Sequence, residues 1–161
     1  MKLNCFCFQG GYMIGAYEYI IKNRGINGAK TYPMEDTQFR CRYNSTLSLA
    51  KMKTFVIIPP GNETLLRDIV AAVGPVSIGM HGSLNTFYSY SNGIYFDSNC
   101  STTKLDHAVV LIGYGTDDEF GDYWLAKNSW GEMWGEAGYF RIARNRNNHC
   151  GIASYIVYPI V

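Results

Sequence analysis

Residues 105–131 read LDHAVVLIGYGTDDEFGDYWLAKNSWG, and this stretch decides the fold class. His107 to Ile112 is an apolar run of strand length, and Tyr123 to Lys127 is a second one. The connection Thr116-Asp117-Asp118-Glu119-Phe120-Gly121 leaves no room for a crossover helix, so the two strands must run antiparallel. Working outward, Val76 to Met80, Tyr139 to Ala143 and Ser154 to Tyr158 are further short apolar or alternating runs, separated by Gly, Asp and Asn clusters. Such a succession reads as an antiparallel sheet or barrel.

Before these strands the period changes. Met13, Ala16, Tyr17, Ile20 and Ile21 recur at the spacing of one helical face, with Gly10-Gly11 ahead and Gly25 behind as boundaries. A second, shorter helix is signalled by Asn62 as N-cap, Glu63 in the first turn, Leu66, Ile69, Val70 and Val73 on one face, and a Gly74-Pro75 stop. Residues 26–53 lose all period and read as a long irregular segment that needs an anchor, for which Cys41 is the candidate. The class is therefore α+β, helical in the first third and β-rich after it.

Composition sets the outer bounds. The chain has 161 residues, 47% of them hydrophobic and 17% charged, far from the composition of chains that stay disordered. Fourteen Lys+Arg against 13 Asp+Glu give a net charge of +1 with no basic run, so a nucleic-acid partner is not expected. No apolar stretch approaches the roughly 20 residues of a membrane span. The first residues turn polar and Gly-rich at once and do not read as a signal peptide. Against that stand five cysteines and three Asn-X-Ser/Thr patterns (Asn44-Ser45-Thr46, Asn62-Glu63-Thr64, Asn99-Cys100-Ser101), which suit an oxidising, glycosylating compartment; so short a pattern also arises by chance.

Only His81, His107 and His149 can serve as general base or imidazole ligand. Cys5-Phe6-Cys7 and His149-Cys150 are separate pairs, short of the four close N/S ligands of structural zinc, so no metal and no cofactor are expected. His107 opens the most apolar strand directly after Asp106, where an imidazole can face a cleft while its strand is locked in the core. Asn128 ends the neighbouring strand and runs into Ser129-Trp130-Gly131-Glu132-Met133-Trp134-Gly135. A carboxamide oxygen can accept from one imidazole nitrogen and fix the tautomer, while an indole shields the bond from water. On residue type alone, a structural His and an Asn in a turn beside two core tryptophans remain open as well.

Together with Asn148-His149-Cys150-Gly151-Ile152-Ala153, the 105–131 stretch resembles the papain family of cysteine peptidases, most closely its cathepsin L-like branch, from about Cys7 to Val161. The resemblance implies a partial helical left domain, assigned to residues 1–53, and an antiparallel β-barrel right domain, residues 54–161, with a cleft between them. It implies that His107 acts as base and later as acid, that Asn128 orients it and that Trp130 shields the pair. Gly10 and Gly11 match the glycine pair that lines the cleft with backbone. Tyr12, Met13, Gly79, Leu105, Asp106 and Ala153 would surround the pocket for the side chain two residues ahead of the cut, which would prefer an apolar or aromatic group. For Tyr12 and Met13, helix-start packing is an equal reading. Peptide or protein substrates, a propeptide or a protease inhibitor are the implied partners, and a lysosomal or extracellular location is implied too. It pairs Cys100 with Cys150, and would bridge Cys41 back to Cys5 or Cys7, leaving one thiol over.

One part of the pattern is missing. The family's nucleophile word lies about 130 to 150 residues ahead of its His and Asn, which falls before Met1. None of the five cysteines stands in that word, and six residues upstream of Cys41, Cys100 and Cys150 stand Glu35, Ile94 and Arg144 in place of an oxyanion-hole Gln. The expectation is a truncated cysteine endopeptidase chain, inactive by itself, whose helix 13–21 has lost much of its packing partner. The alternative is a non-catalytic pseudoprotease that binds peptides or a protein partner.

Overall fold

The computed structural model describes residues 10–161 apart from 36, 38 and 39. In chain order the elements are α1 (Met13–Asn23), β1 (Ile26–Asn27), β2 (Ser48–Ala50), β3 (Thr54–Ile58), α2 (Glu63–Val73), β4 (Val76–Met80), α3 (Asn85–Tyr88), β5 (Ile94–Tyr95), β6 (His107–Asp117), β7 (Gly121–Lys127), β8 (Tyr139–Ala143) and β9 (Tyr155–Ile160). Contacts divide the chain into two units: the described residues up to Val56 with Pro159–Val161, and Ile57–Tyr158.

In the first unit, α1 ends where Arg24 turns left-handed (φ 61°) and its amide bonds back to Ile20 and Ile21. None of the helix's residues is buried, although Tyr17 sets its ring 5.8 Å from Phe55. The segment after it is largely irregular, but Ile26 pairs with Ala50 and Asn27 with Ser48 in a short antiparallel ribbon. Asn27 reinforces the ribbon's base by bonding the Asn44 main chain through both ends of its carboxamide.

The second unit holds the core. Asn62 caps α2 by accepting from the Leu65 amide at 2.8 Å, and Leu66 and Val70 are the buried face. Glu63 ties α2 to the sheet, accepting from Trp124 Nε1 and from the Asn145 and Asn148 amides. Val76, Ile78 and Met80 of β4, Leu111 of β6, Trp124 and Ala126 of β7 and Phe140 and Ile142 of β8 are the sheet's share of the core, nearly all fully buried.

The strands form one seven-stranded sheet in the order β3-β9-β4-β6-β7-β8-β5. The α+β class and the antiparallel β6–β7 hairpin agree with the sequence reading. Two details differ. The described strands make an open sheet with β3 and β5 at its edges, so the expected barrel does not close. Also, β5 pairs with β8 in parallel, Ile94 opposite Arg141, because the chain from β5 to β8 passes through two whole strands before returning. Among the described residues no helix is long and apolar enough to cross a membrane.

Candidate functional site

The site forms where β4 and β6 meet at one end of the sheet. Met80 pairs with His107, so the last residue of β4 lies beside the first of β6. Gly82 stands two residues on, and its bare backbone makes room for the imidazole: a Cβ there would stand 2.6 Å from His107 Cβ and 2.9 Å from its Cγ. On the other side β7 ends at Lys127, opposite Val110, and Asn128 is the next residue. The Asn128 amide bonds to Gly138 O at 2.9 Å, which closes the 129–138 loop over the strand end and buries the side chain.

His107 Nε2 and Asn128 Oδ1 are 2.8 Å apart. The Ser129 amide donates to the same Oδ1, also at 2.8 Å, so that atom is the acceptor end of the carboxamide. Turning the amide over would set an NH2 against a backbone N–H. His107 therefore carries its proton on Nε2, and Nδ1 keeps the lone pair that can take up a proton. Asn128 Nδ2 is buried and makes no hydrogen bond among the described residues, so the oxygen alone defines the side chain's orientation.

The Trp130 ring lies 4.8 Å from the His107 ring, tilted by 34°. It is held by a cluster centred on Phe87, which is fully buried, with rings of Trp130, Trp134, Tyr95 and Phe140 at 5.0 to 5.5 Å. Tyr88 stacks on Trp130 at 5.0 Å, and Trp134 Nε1 donates to the Tyr88 carbonyl. Phe87 and Tyr88 lie on the one-turn helix α3, which has no period to read; the dense aromatic spelling between residues 87 and 96 is the signal that marks it.

Asp106 points away from the imidazole it precedes. Its Oδ1 accepts from the Gly82 amide at 2.8 Å and its Oδ2 from the Ser83 hydroxyl at 2.6 Å, with Lys104 Nζ 3.4 Å away. Burial pushes this carboxyl up, but the bonds from Ser83, Gly82 and Lys104 outweigh it and leave it below the usual carboxylate range. Asp106 thus clamps the turn after β4 beneath His107. Leu105 reaches back across Gly79, whose added Cβ would lie 3.6 Å from Leu105 Cδ1, and Ala153 is fully buried. Gly10, Gly11, Tyr12 and Met13 belong to the other unit, where Tyr12 is the 84% exposed N-cap of α1.

Cys100 and Cys150 are joined by a disulfide across 50 residues. His149 Nδ1 or Nε2 and the two sulfurs lie within 4.8 Å of one another, but the sulfurs are spent on each other and offer no metal a thiolate. His149 is buried, stacks on Phe96 at 4.5 Å and accepts from the Asp97 amide. Burial pushes its pKa down, against the opposing pull of Asp97 and Glu63. Cys41 lies on an exposed stretch with its Sγ 3.3 Å from the Tyr19 hydroxyl; Cys5 and Cys7, its expected partners, lie outside the described residues.

Comparison with known proteins follows the same lines. The family model described as papain family cysteine protease matches residues 2–160. A cathepsin L-like protein of Caenorhabditis elegans is 48% identical over 153 residues, 95% of this chain and 45% of the relative. Mouse cathepsin S is 47% identical over 150 residues, 93% of this chain and 44% of its own. The solved structure of digestive procathepsin L2 proteinase from Tenebrio molitor larval midgut superposes with a TM-score of 0.91 at 41% identity, covering 99% of this chain and 50% of that one. The chain thus spans about half the length of the relatives it matches.

Proposed function

The chain belongs to the papain family of cysteine proteases, and on that premise we propose that it supplies the acid–base half of a cathepsin L-like cysteine endopeptidase. The observation that carries this reading is the 2.8 Å bond between His107 Nε2 and Asn128 Oδ1, with that oxygen also bound by the Ser129 amide. Nδ1 of His107 takes the proton of a cysteine thiol, and the thiolate attacks the peptide carbonyl. The resulting imidazolium is held by Asn128 and later returns the proton to the leaving amine. Trp130 keeps water from the bond that fixes the tautomer.

The thiol itself comes from another segment. Cys100 and Cys150 are bonded to each other, and the family's nucleophile word is expected about 130 residues or more ahead of His107. The substrate is an extended peptide with an apolar or aromatic side chain two residues ahead of the cut, received in part by Leu105 and Asp106, with Gly79 and Ala153 buried behind them. A lysosomal or extracellular location suits the disulfide.

The test is complementation. This chain, refolded together with the N-terminal half of a cathepsin L-like peptidase domain, is expected to hydrolyse a fluorogenic peptide, to be blocked by a thiol-directed epoxide and to lose both properties on His107→Ala. By itself it should neither cleave nor label. Turnover by the isolated chain would show that one of its own cysteines is the nucleophile. Peptide binding without turnover in the complemented sample would favour a pseudoprotease.

A further inference from the structure

We propose that Asn44 and Asn62 are N-glycan acceptors and that Asn99, which stands in the same three-residue pattern, is not. The inference goes beyond the peptidase reading and shares with it only the oxidising secretory compartment.

Asn44 and Asn62 use their side chains alike. Asn44 Oδ1 accepts from the Thr46 amide at 2.9 Å and the Thr46 hydroxyl at 2.8 Å, and Asn62 Oδ1 accepts from the Leu65 amide at 2.8 Å. Both residues are exposed, and the side-chain bonds of each run through Oδ1, none through Nδ2, among the described residues. An N-linked glycan replaces one proton of Nδ2 and leaves the amide oxygen an acceptor, so the 45–47 turn and the cap of α2 both survive the modification. At Asn62 the chain around the acceptor is open as well: Pro60, Gly61, Thr64, Asn145 and Asn147 border a shallow polar depression with space for the first sugar.

Asn99 is exposed as well but differs in its bonding. Its Nδ2 donates to Asp97 Oδ1 at 3.2 Å while its amide donates to the same oxygen at 2.8 Å. The middle residue of the pattern, Cys100, is tied to Cys150, and the Ser101 hydroxyl is occupied as acceptor by the Thr103 and Lys104 amides. A transferase needs a free Nδ2 and a hydroxyl still able to accept, on a segment it can draw out; Thr46 spends its hydroxyl only as a donor, whereas this loop offers neither once the disulfide is closed. That same disulfide suits an oxidising compartment, where the glycan donor is found.

In the transfer, Nδ2 attacks the anomeric carbon of an oligosaccharide carried on a polyprenyl diphosphate. The bond from Nδ2 to that carbon forms and the carbon–oxygen bond to the diphosphate breaks. The lipid diphosphate leaves with the electron pair, and one amide proton passes to a carboxylate of the host transferase.

The full chain, led into the yeast secretory pathway by an appended export signal, tests this. Enzymatic deglycosylation in heavy-oxygen water followed by peptide mass spectrometry should label Asn44 and Asn62 and leave Asn99 unlabelled. Thr46→Ala and Thr64→Ala keep both asparagines and should each remove one step of the gel shift; the pair should abolish it, whereas Thr64→Ser should retain it. An unlabelled Asn44 or Asn62 in the translocated chain, or occupancy of Asn99 equal to theirs, overturns the proposal. His107→Ala should leave every glycan in place, so failure here and failure of the peptidase reading are separate results.

Discussion

His107 owes its protonation pattern to one backbone amide. Because Ser129 N–H occupies Asn128 Oδ1, the carboxamide presents an acceptor to Nε2, and the opposite nitrogen is left basic. Asn128→Ala should therefore release the tautomer: long-range nitrogen-15 spectra of the imidazole should change from a pure Nε2–H form to a mixture. The stability cost should be about 1 kcal/mol, the net worth of one hydrogen bond. Gly82 makes a second test at this scale. A methyl at Gly82 would sit 2.6 Å from His107 Cβ, within the stem of the side chain and not at its movable tip, so the imidazole must shift. Gly82→Ala should cost about 1 to 3 kcal/mol in denaturant unfolding, and the same spectra should show the Asn128 bond lost in a chain that still folds.

Among the elements, the shortest carries the most. The helix α3 is a single turn, yet Phe87 is its contribution to the core and touches the rings of Trp130, Trp134, Tyr95 and Phe140. Phe87→Ala should cost about 3 to 5 kcal/mol, measured as a lowered denaturant midpoint, because the cavity would open beneath Trp130. The tryptophan emission should move to the red, since Trp130 and Trp134 both lose a buried neighbour. The longer helices read easily because each has a period and a boundary signal: α2 starts at an Asn that caps it and stops at Gly74. The two-residue strand β5 and the turn of α3 were not legible, since neither is long enough to show a period, and both are stable only against β8 and the aromatic cluster.

At the scale of the molecule, the second unit is held by its sheet, its disulfide and a buried histidine. Cys100 and Cys150 close a loop of 50 residues, so replacing both by Ser should lower stability by up to about 4 kcal/mol, with a matching fall in the thermal midpoint. His149 sets a pH dependence. Burial holds its folded pKa below the ordinary 6.5, so the unfolded chain binds the proton more readily. The stability it contributes is complete above pH 6.5 and is lost as the pH falls through the folded value. The depressed carboxyls of Asp106 and Glu136, the latter held down chiefly by Arg141, add a loss of the same sign at lower pH. The denaturant midpoint should thus fall on acidification from neutral pH, and His149→Gln should flatten the part of that fall above the carboxylate range.

The sequence by itself determined the α+β class, both long helices, the Asn62 cap of α2, the β6–β7 hairpin and the candidacy of His107 and Asn128, because each rests on local chemistry: a period, a cap, a loop too short to cross over, a recognisable spelling. The tertiary structure alone decided that the sheet stays open, that β5 joins β8 in parallel, that Gly82 and Asp106 support the imidazole from below and that Phe87 holds the indole above it. Those are relations between residues far apart in the chain, and they follow from strand register and the shape of the packed core, which no local pattern encodes.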